Sequence, residues 1–422
     1  MNEKMKYKII SLSGEPVSGK GTTTKTLISI LRKEGYSEEN IHVVSTGDEF
    51  RRYFKMAIDF IENLKLNNKE EYTHLAKTPE LIEIMSNDEY NEAFRKTAFQ
   101  LLKNDIDTSK MSIGEMNNLE ELKDIRKALD SLLDGRMRKL GEKINKTSRP
   151  DEVWILDSRL AFNNVPSSFA VRLTTDKNIA GKRLFEDQQR GKEDKYKSVE
   201  EAIKVREERK NGERERYLKR YGIDLEETSN YDLIVDTSYC NPEDTANTIL
   251  QCLQYEIEGK EYSKQWTSPK VLLPLQSERD TLSTALYSLD EMYERIKKEG
   301  FFPDSPIEVV ESNGYKGIVE GHHRNFAAAM LGKTLIPYKV IGKDDEHIIY
   351  NGGTPRERIN SISLNNLYGH EKFIEFGEQK TKGENVRFSY NDVYPNIYEK
   401  IRNSEKLSEK SYHDDYDDPG DR

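Results

Sequence analysis

Residues 14–22 read GEPVSGKGT, a spacing of the form G-x-x-x-x-G-K-G-T. Glycines let backbone N–H groups close around an anion, a lysine adds a mobile positive charge, and a threonine hydroxyl suits a divalent cation. Together they are fitted to grip a phosphate chain, with Gly14, Ser18, Gly19, Lys20, Gly21, Thr22 and Thr23 as the binding set. Lys20 would reach the β- and γ-phosphates and Thr22 would ligate Mg²⁺. The flanking residues must position this loop. Lys8–Ser13 (KIISLS) is short, apolar and β-branched, so it predicts a buried strand. From Thr22 to Lys33 the residues Leu27, Ile30 and Leu31 fall at helical spacing. A strand, a glycine loop and a helix N-terminus are the parts of an anion site.

Five apolar runs predict a five-stranded parallel sheet with helices on both faces: Lys8–Ser13, Ile41–Ser45, Val153–Asp157, Phe169–Thr174 and Tyr231–Asp236. Three more polar clusters belong to this unit. STGDEFRR (45–52) and DSRL (157–160) follow strands directly, and a charged helix spans 204–224. Carboxyl ends of parallel strands are where α/β sheets bind ligands. Thr46, Arg51, Asp157 and Arg159 are thus ligand-binding candidates, and Lys20, Arg159, Arg209 and Arg216 are candidates for steadying charge during phosphoryl transfer. The plainer reading of 204–224 is a solvated helix laced by i,i+4 pairs.

GEPVSGKGT, STGDEFR, LDSRL and REERKNGERERYLKRYGID followed by YDLIVDTS resemble, in that order, the cytidylate kinase family over about residues 5–255. The resemblance implies transfer of the γ-phosphoryl group of ATP, with Mg²⁺, to a nucleoside monophosphate such as CMP or dCMP. It assigns Thr46, Arg51 and Arg159 to the monophosphate, and Arg209 and Arg216 to a mobile lid. Two departures stand out. Val17 occupies a position where the family usually has glycine, and about 55 residues from Lys55 to Lys110 are a helical insertion in the monophosphate-binding region. The likeness resumes at Met116–Leu140, where Asp130, Asp134 and Arg136 would face the acceptor.

A second unit is expected over 270–345, after a polar linker at 258–269 that ends the first unit at 257. It contains an amphipathic helix through Leu282, Leu286, Leu289, Met292 and Ile296, strands at 307–311, 318–321 and 336–342, and a helix from His323 to Leu331. Glu320, Gly321, His322, His323 and Arg324 make a strand–glycine–helix join that predicts a phosphate site. The stretch from SERD through GYKGIVEGHHR to AAMLGKTLIPYKV resembles the ParB/sulfiredoxin-like superfamily, implying a small α+β domain that binds a second nucleotide. Glu278, Asp280 and Glu320 are its candidate acid/base or metal groups. An alternative function is then a nucleotide-gated DNA-binding or DNA-base-modifying protein, touching DNA through this domain. A helical extension (346–403) and an acidic disordered tail (404–422) complete the expected organisation.

The bulk properties narrow the function classes. Apolar residues are 35% and charged residues 34% of 422, enough for two or three domains, and no run approaches a membrane span. Cys240 and Cys252 are too few for a disulfide scaffold. The N-terminal residues lack a signal-peptide pattern, so a cytoplasmic location is expected. A net charge of −10 opposes general coating of nucleic acid but leaves room for a local basic groove.

Overall fold

The computed structural model describes residues 9–65, 82, 86–104, 106–108, 111, 116, 119–149, 151–188, 196–274, 288–312, 315–343, 379–381 and 384–386. They form two compact units, Met1–Ile234 and Val235–Arg422.

In the first unit β1 (Ile9–Gly14), a run of six buried residues, lies centrally. It pairs in parallel with β3 (Val153–Asp157) and β4 (Phe169–Thr174), while β2 (Ile41–Ser45) pairs in parallel with β3. Leu233 and Ile234 of β5 (Leu233–Asp236) complete the order β2-β3-β1-β4-β5. The neighbours β1 and β4 send their connections to opposite sides, to β2 and to β5. The carboxyl ends of β1 and β4 therefore flank a switch point, where parallel sheets open a crevice.

Helices position this edge. After β1, α1 (Lys20–Lys33) buries Leu27, Ile30 and Leu31. Three further helices, α2 (Thr46–Lys65), α3 (Asp88–Lys103) and α4 (Lys123–Thr147), share an aromatic core of Tyr53, Phe54, Phe60, Tyr90 and Phe94 with Leu122, Ile125 and Leu129. The 55–110 insertion thus builds its own apolar contacts with α4. A single turn, α5 (Ala161–Asn164), precedes β4, and α6 (Lys177–Gln188) and α7 (Val199–Tyr221) follow it. The ends of α7 are well defined: the Ser198 hydroxyl accepts from the Glu201 N–H at 3.2 Å, and Gly222 closes the helix at φ 67°. Its buried face is only Ala202 and Arg206, so ion pairs rather than an apolar stripe hold it.

The second unit includes α8 (Pro242–Glu258), capped by Asn241, whose side chain accepts from Asp244 N at 2.7 Å. Asn241 N donates to the Thr334 hydroxyl, which in turn donates to the Asp244 carboxylate, and these contacts fasten α8 within this unit. The 258–269 segment, expected as a linker, is partly structured: β6 (Gln265–Thr267) pairs antiparallel with β10 (Ile336–Lys343). Trp266 of β6 is buried at 3% exposure, which polar composition averaged over the segment conceals. The mixed sheet continues with β8 (Ile307–Ser312), β9 (Tyr315–Glu320) and β7 (Leu272–Pro274), in the order β6-β10-β8-β9-β7. Tyr315–Gly317, ahead of the strand expected at 318–321, already belong to β9. Two helices, α9 (Ser288–Glu299) and α10 (His322–Met330), bring Tyr293, Ile296, Phe326, Ala327 and Ala328 into the same core as Ile307, Val309 and Ile318.

Between 346 and 403 the described residues are two short antiparallel strands, β11 (Gln379–Thr381) and β12 (Glu384–Val386), where a helical extension was expected. Leu282, Leu286, Glu278, Asp280 and the 404–422 tail lie outside the described residues. Among those described, no helix is long and apolar enough to cross a membrane, and no three His, Cys, Asp or Glu side chains are grouped to hold a metal.

Candidate active site

The loop's path follows from two glycines and one strained residue. A Cβ on Gly14 would stand 2.6 Å from Ser18 Oγ and 2.8 Å from the Leu173 carbonyl, so only glycine lets the chain turn there. Gly19 adopts φ 83° and leads into α1 with no side chain capping the first turn, leaving that turn's backbone to face a ligand. Val17 has φ 64°, the one non-glycine residue with positive φ among those described. A β-branched side chain is disfavoured there, at a cost of about 1–3 kcal/mol. Val17→Gly is expected to raise stability by about 1 kcal/mol, strain relief outweighing the added freedom of the unfolded chain. A lowered denaturation midpoint in that variant would contradict the strain.

Parallel register brings the sequence clusters to one edge. Leu12 and Ser45 both align with Asp157, and Gly14 aligns with Leu173. Lys20 Nζ donates to the Gly14 carbonyl at 3.4 Å, Thr46 Oγ1 to the Asp157 carbonyl at 3.5 Å, and Ser13 Oγ to the Arg159 carbonyl at 3.2 Å. Arg159 Nη2 lies 2.9 Å from Glu213 Oε2 on α7, and Arg209 Nε donates to Glu213 Oε1 at 3.1 Å. A small cleft opens between loop and helix, with Ser13, Gly14, Glu15, Arg159, Lys210 and Glu213 among its walls.

Charges at this sheet edge are mutually adjusted. Burial, reinforced by Arg159, lowers the Lys20 pKa to about 7, while Asp157 and Glu213 pull the other way. Burial likewise holds the Asp157 carboxyl above its ordinary value, against Lys20 and Arg159. For Glu213 burial is outweighed by Arg159, Arg209 and Arg216, so its pKa falls and it stays ionised.

Other expected residues fall elsewhere. Arg51 is half exposed and paired with Asp48, one turn back on α2. Arg216, stacked on Tyr217 at 5.3 Å, has Asp130 and Glu213 both acting on it. Asp130 lies 3.7 Å from Arg220, and burial pushes its pKa up to about 6. Asp134 accepts from Asn164 Nδ2 at 2.9 Å and from the Tyr221 hydroxyl, while Arg136 donates to the Tyr53 hydroxyl. The region from Met116 to Leu140 thus meets α7 in a second polar cluster.

Two carboxylates escaped the sequence reading. One is Glu213. The other is Glu15, inside the loop: Arg206 Nη2 lies 2.5 Å away, Lys210 Nζ 3.0 Å and Arg172 Nη2 3.4 Å. Arg206 itself is 1% exposed and also donates to the carbonyls of Pro16 and Thr175, so it braces the loop from behind. A carboxylate at a variable loop position, with partners over 150 residues away, leaves no local pattern to find.

In the second unit Gly321 caps α10 at φ 100°. Arg324 Nη1 is spent on Ser305 O at 2.8 Å, Ser305 Oγ at 2.7 Å and Pro306 O at 3.2 Å, and Nη2 lies 3.9 Å from Glu320. His322 is buried, which together with His323 lowers its pKa to about 4 and keeps it neutral. His323 begins the same helix. These contacts fasten the 305–306 turn to α10.

Comparison with known proteins adds what geometry alone does not. No family model matches the chain. A cytidylate kinase from Thermoplasma volcanium is 40% identical over 63 residues, 15% of this chain and 33% of that protein. One from Sulfolobus acidocaldarius is 30% identical over 116 residues, 27% of this chain and 59% of that protein. One from Pyrobaculum islandicum is 24% identical over 259 residues, 61% of this chain and 98% of that protein. The N-terminal part of this chain is similar to cytidylate kinases. The matched stretches span a third and about three-fifths of the first two relatives but nearly all of the third. A solved structure of an uncharacterized protein from Eubacterium ventriosum overlaps 58% of this chain and 98% of its own at 12% identity, with a TM-score of 0.30, too low to bear on the fold.

Proposed function

We propose that the first unit is an ATP-dependent nucleoside monophosphate kinase acting on CMP, dCMP or a close relative. The observation that carries it is the electrostatic coupling of Lys20 with Asp157, Arg159, Arg209 and Glu213 beside the glycine loop, in a chain whose N-terminal part is similar to cytidylate kinases.

The residues present fit ATP and Mg²⁺. Gly14 leaves room for no side chain where β1 turns into the loop, Lys20, Arg159 and Arg209 supply positive charge, and Asp157 offers a carboxylate beside Lys20. Thr22 and Asp157 would hold Mg²⁺, which when bound neutralises charge on the β- and γ-phosphates. Transfer between two phosphates needs little covalent help from side chains. It needs cations already in place, because each one then stabilises developing charge without reorganising. Lys20 would grip the transferred group, Arg159 and Thr46 would orient the acceptor's phosphate, and Arg209 and Arg216 would bring α7 over it. Arg fits these roles through its planar fork of donors.

For the second unit the reading is a nucleotide-binding ParB/sulfiredoxin-like domain. Its support is the quoted sequence resemblance and the β9–Gly321–α10 join at residues 315–330.

The test supplies the full chain with ATP, Mg²⁺ and each common ribo- and deoxyribonucleoside monophosphate, with ADP and diphosphate resolved by chromatography. Conversion of CMP or dCMP, abolished in Arg159→Ala, is the expected result. ATP consumption without any diphosphate formed from the panel would refute the reading.

A further inference from the structure

The ion pairs that tie α7 to the rest of the first unit are of two kinds. Arg206–Glu15 is buried, with Arg206 at 1% exposure, and it is backed by Lys210 between Glu15 and Glu226 and by Arg214 on Asp224. None of these groups is among the proposed phosphate ligands, and together they anchor the helix. Glu213 differs. Its two oxygens are divided between Arg159, on the segment after β3, and Arg209, one turn earlier on α7. Both arginines are proposed to grip phosphate, and both present to Glu213 the N–H groups that a phosphate oxygen would take. Arg159 and Glu213 are 17% and 14% exposed, at the wall of the cleft, so either side chain can swing into it.

We propose that Glu213 is a positioning residue that occupies the phosphate grip from within: its carboxylate holds Arg159 and Arg209 together and yields them to an incoming phosphate. This rests on the reading of those two arginines as phosphate ligands. It makes a prediction opposite in sign to that for an ordinary structural pair. A structural carboxylate, when lost, loosens the site and weakens binding. A carboxylate that competes with the ligand, when lost, strengthens binding because two guanidinium groups no longer need to be released.

Inorganic phosphate is the probe, since it requires no decision about the base. Thermal unfolding of the full chain is followed against phosphate concentration at constant ionic strength, because salt screens such pairs and ligand binding raises the transition by mass action. In Glu213→Gln, which keeps shape but not charge, the concentration giving half the shift is expected to fall about fivefold or more. The gain should vanish in Glu213→Gln/Arg159→Ala, and Glu213→Asp, which restores the charge, should return the titration toward the parent. Unchanged or weaker phosphate binding in Glu213→Gln would overturn the proposal, as would a variant that no longer unfolds cooperatively, since Glu213 would then be structural. The two readings fail separately. Tightening without turnover of any monophosphate refutes only the kinase assignment, and turnover without tightening refutes only the role of Glu213.

Discussion

Lys20→Met is expected to lower kcat/KM for the phosphoryl transfer by ~10³-fold, about 4 kcal/mol of barrier, with the fold intact. Methionine keeps the length of the stem and removes the charge that would follow the transferred group. The site also predicts a second signature of this lysine. In the free chain burial and Arg159 hold its pKa at about 7. A bound phosphate chain favours the ammonium form, so binding of ATP at pH 8.5 should take up roughly one proton in the parent. Lys20→Met should take up essentially none. Titration calorimetry in buffers of different ionisation enthalpy reads that number directly. Equal proton uptake in parent and variant would place the titrating group elsewhere. The same shift affects stability. Between about pH 7 and 10 the unfolded chain holds a proton on Lys20 that the folded chain has released, so the free parent gains stability as pH rises through that window. Below pH 7 both states are protonated and the burial cost is fully present. Lys20→Met should flatten the slope.

What the sequence made legible was mostly local. Ile41–Ser45, Val153–Asp157 and Phe169–Thr174 form strands with the expected bounds, because short β-branched runs between polar residues admit few other solutions. The loop and the carboxyl-edge clusters follow from those strands, since parallel register forces Gly14, Ser45 and Asp157 to one side. The charged helix was half legible. Arg209–Glu213 is the i,i+4 pair its spacing suggests, but Glu213 turns its other oxygen to Arg159, 54 residues away in a segment with no pattern of its own. Arg206 lies in the same polar run and is almost wholly buried, because its partner Glu15 comes from the other end of the unit. Side-chain pairing across such separations is a property of topology and cannot be read from spacing. Trp266 shows the same limit from the apolar side, one buried ring in a segment whose average is polar. Val17 was legible as a departure from glycine, and φ 64° shows why glycine would suit that position.

Glu15→Gln is expected to destabilise the first unit by about 3 kcal/mol, the second large effect. Breaking one side of a buried ion pair leaves the remaining charge without compensation, and Arg206 at 1% exposure cannot turn to water. Glu207 is its one other carboxylate contact among the described ion pairs, and Lys210 and Arg172 lose a partner in the same step. Because Glu15 lies between Gly14 and Pro16, the loss also frees the loop that Arg206 braces through the Pro16 carbonyl, so ATP should bind more weakly. Replacing the charge on the other side tests whether pairing is the cause. Arg206→Met puts an apolar stem in a buried slot and leaves Glu15 with Lys210 and Arg172, so it should cost less than Glu15→Gln. The double variant should then be more stable than the sum of the two losses implies, by about 1 kcal/mol or more. The chain has two tryptophans, Trp154 in the first unit and Trp266 in the second, so a Trp266→Phe background lets Trp154 report the first unit alone in denaturant. Strict additivity of the two substitutions would mean that Glu15 and Arg206 act independently. The loop's support would then have to come from Gly14 and the Glu15 N–H, which donates to the Leu173 carbonyl at 3.1 Å.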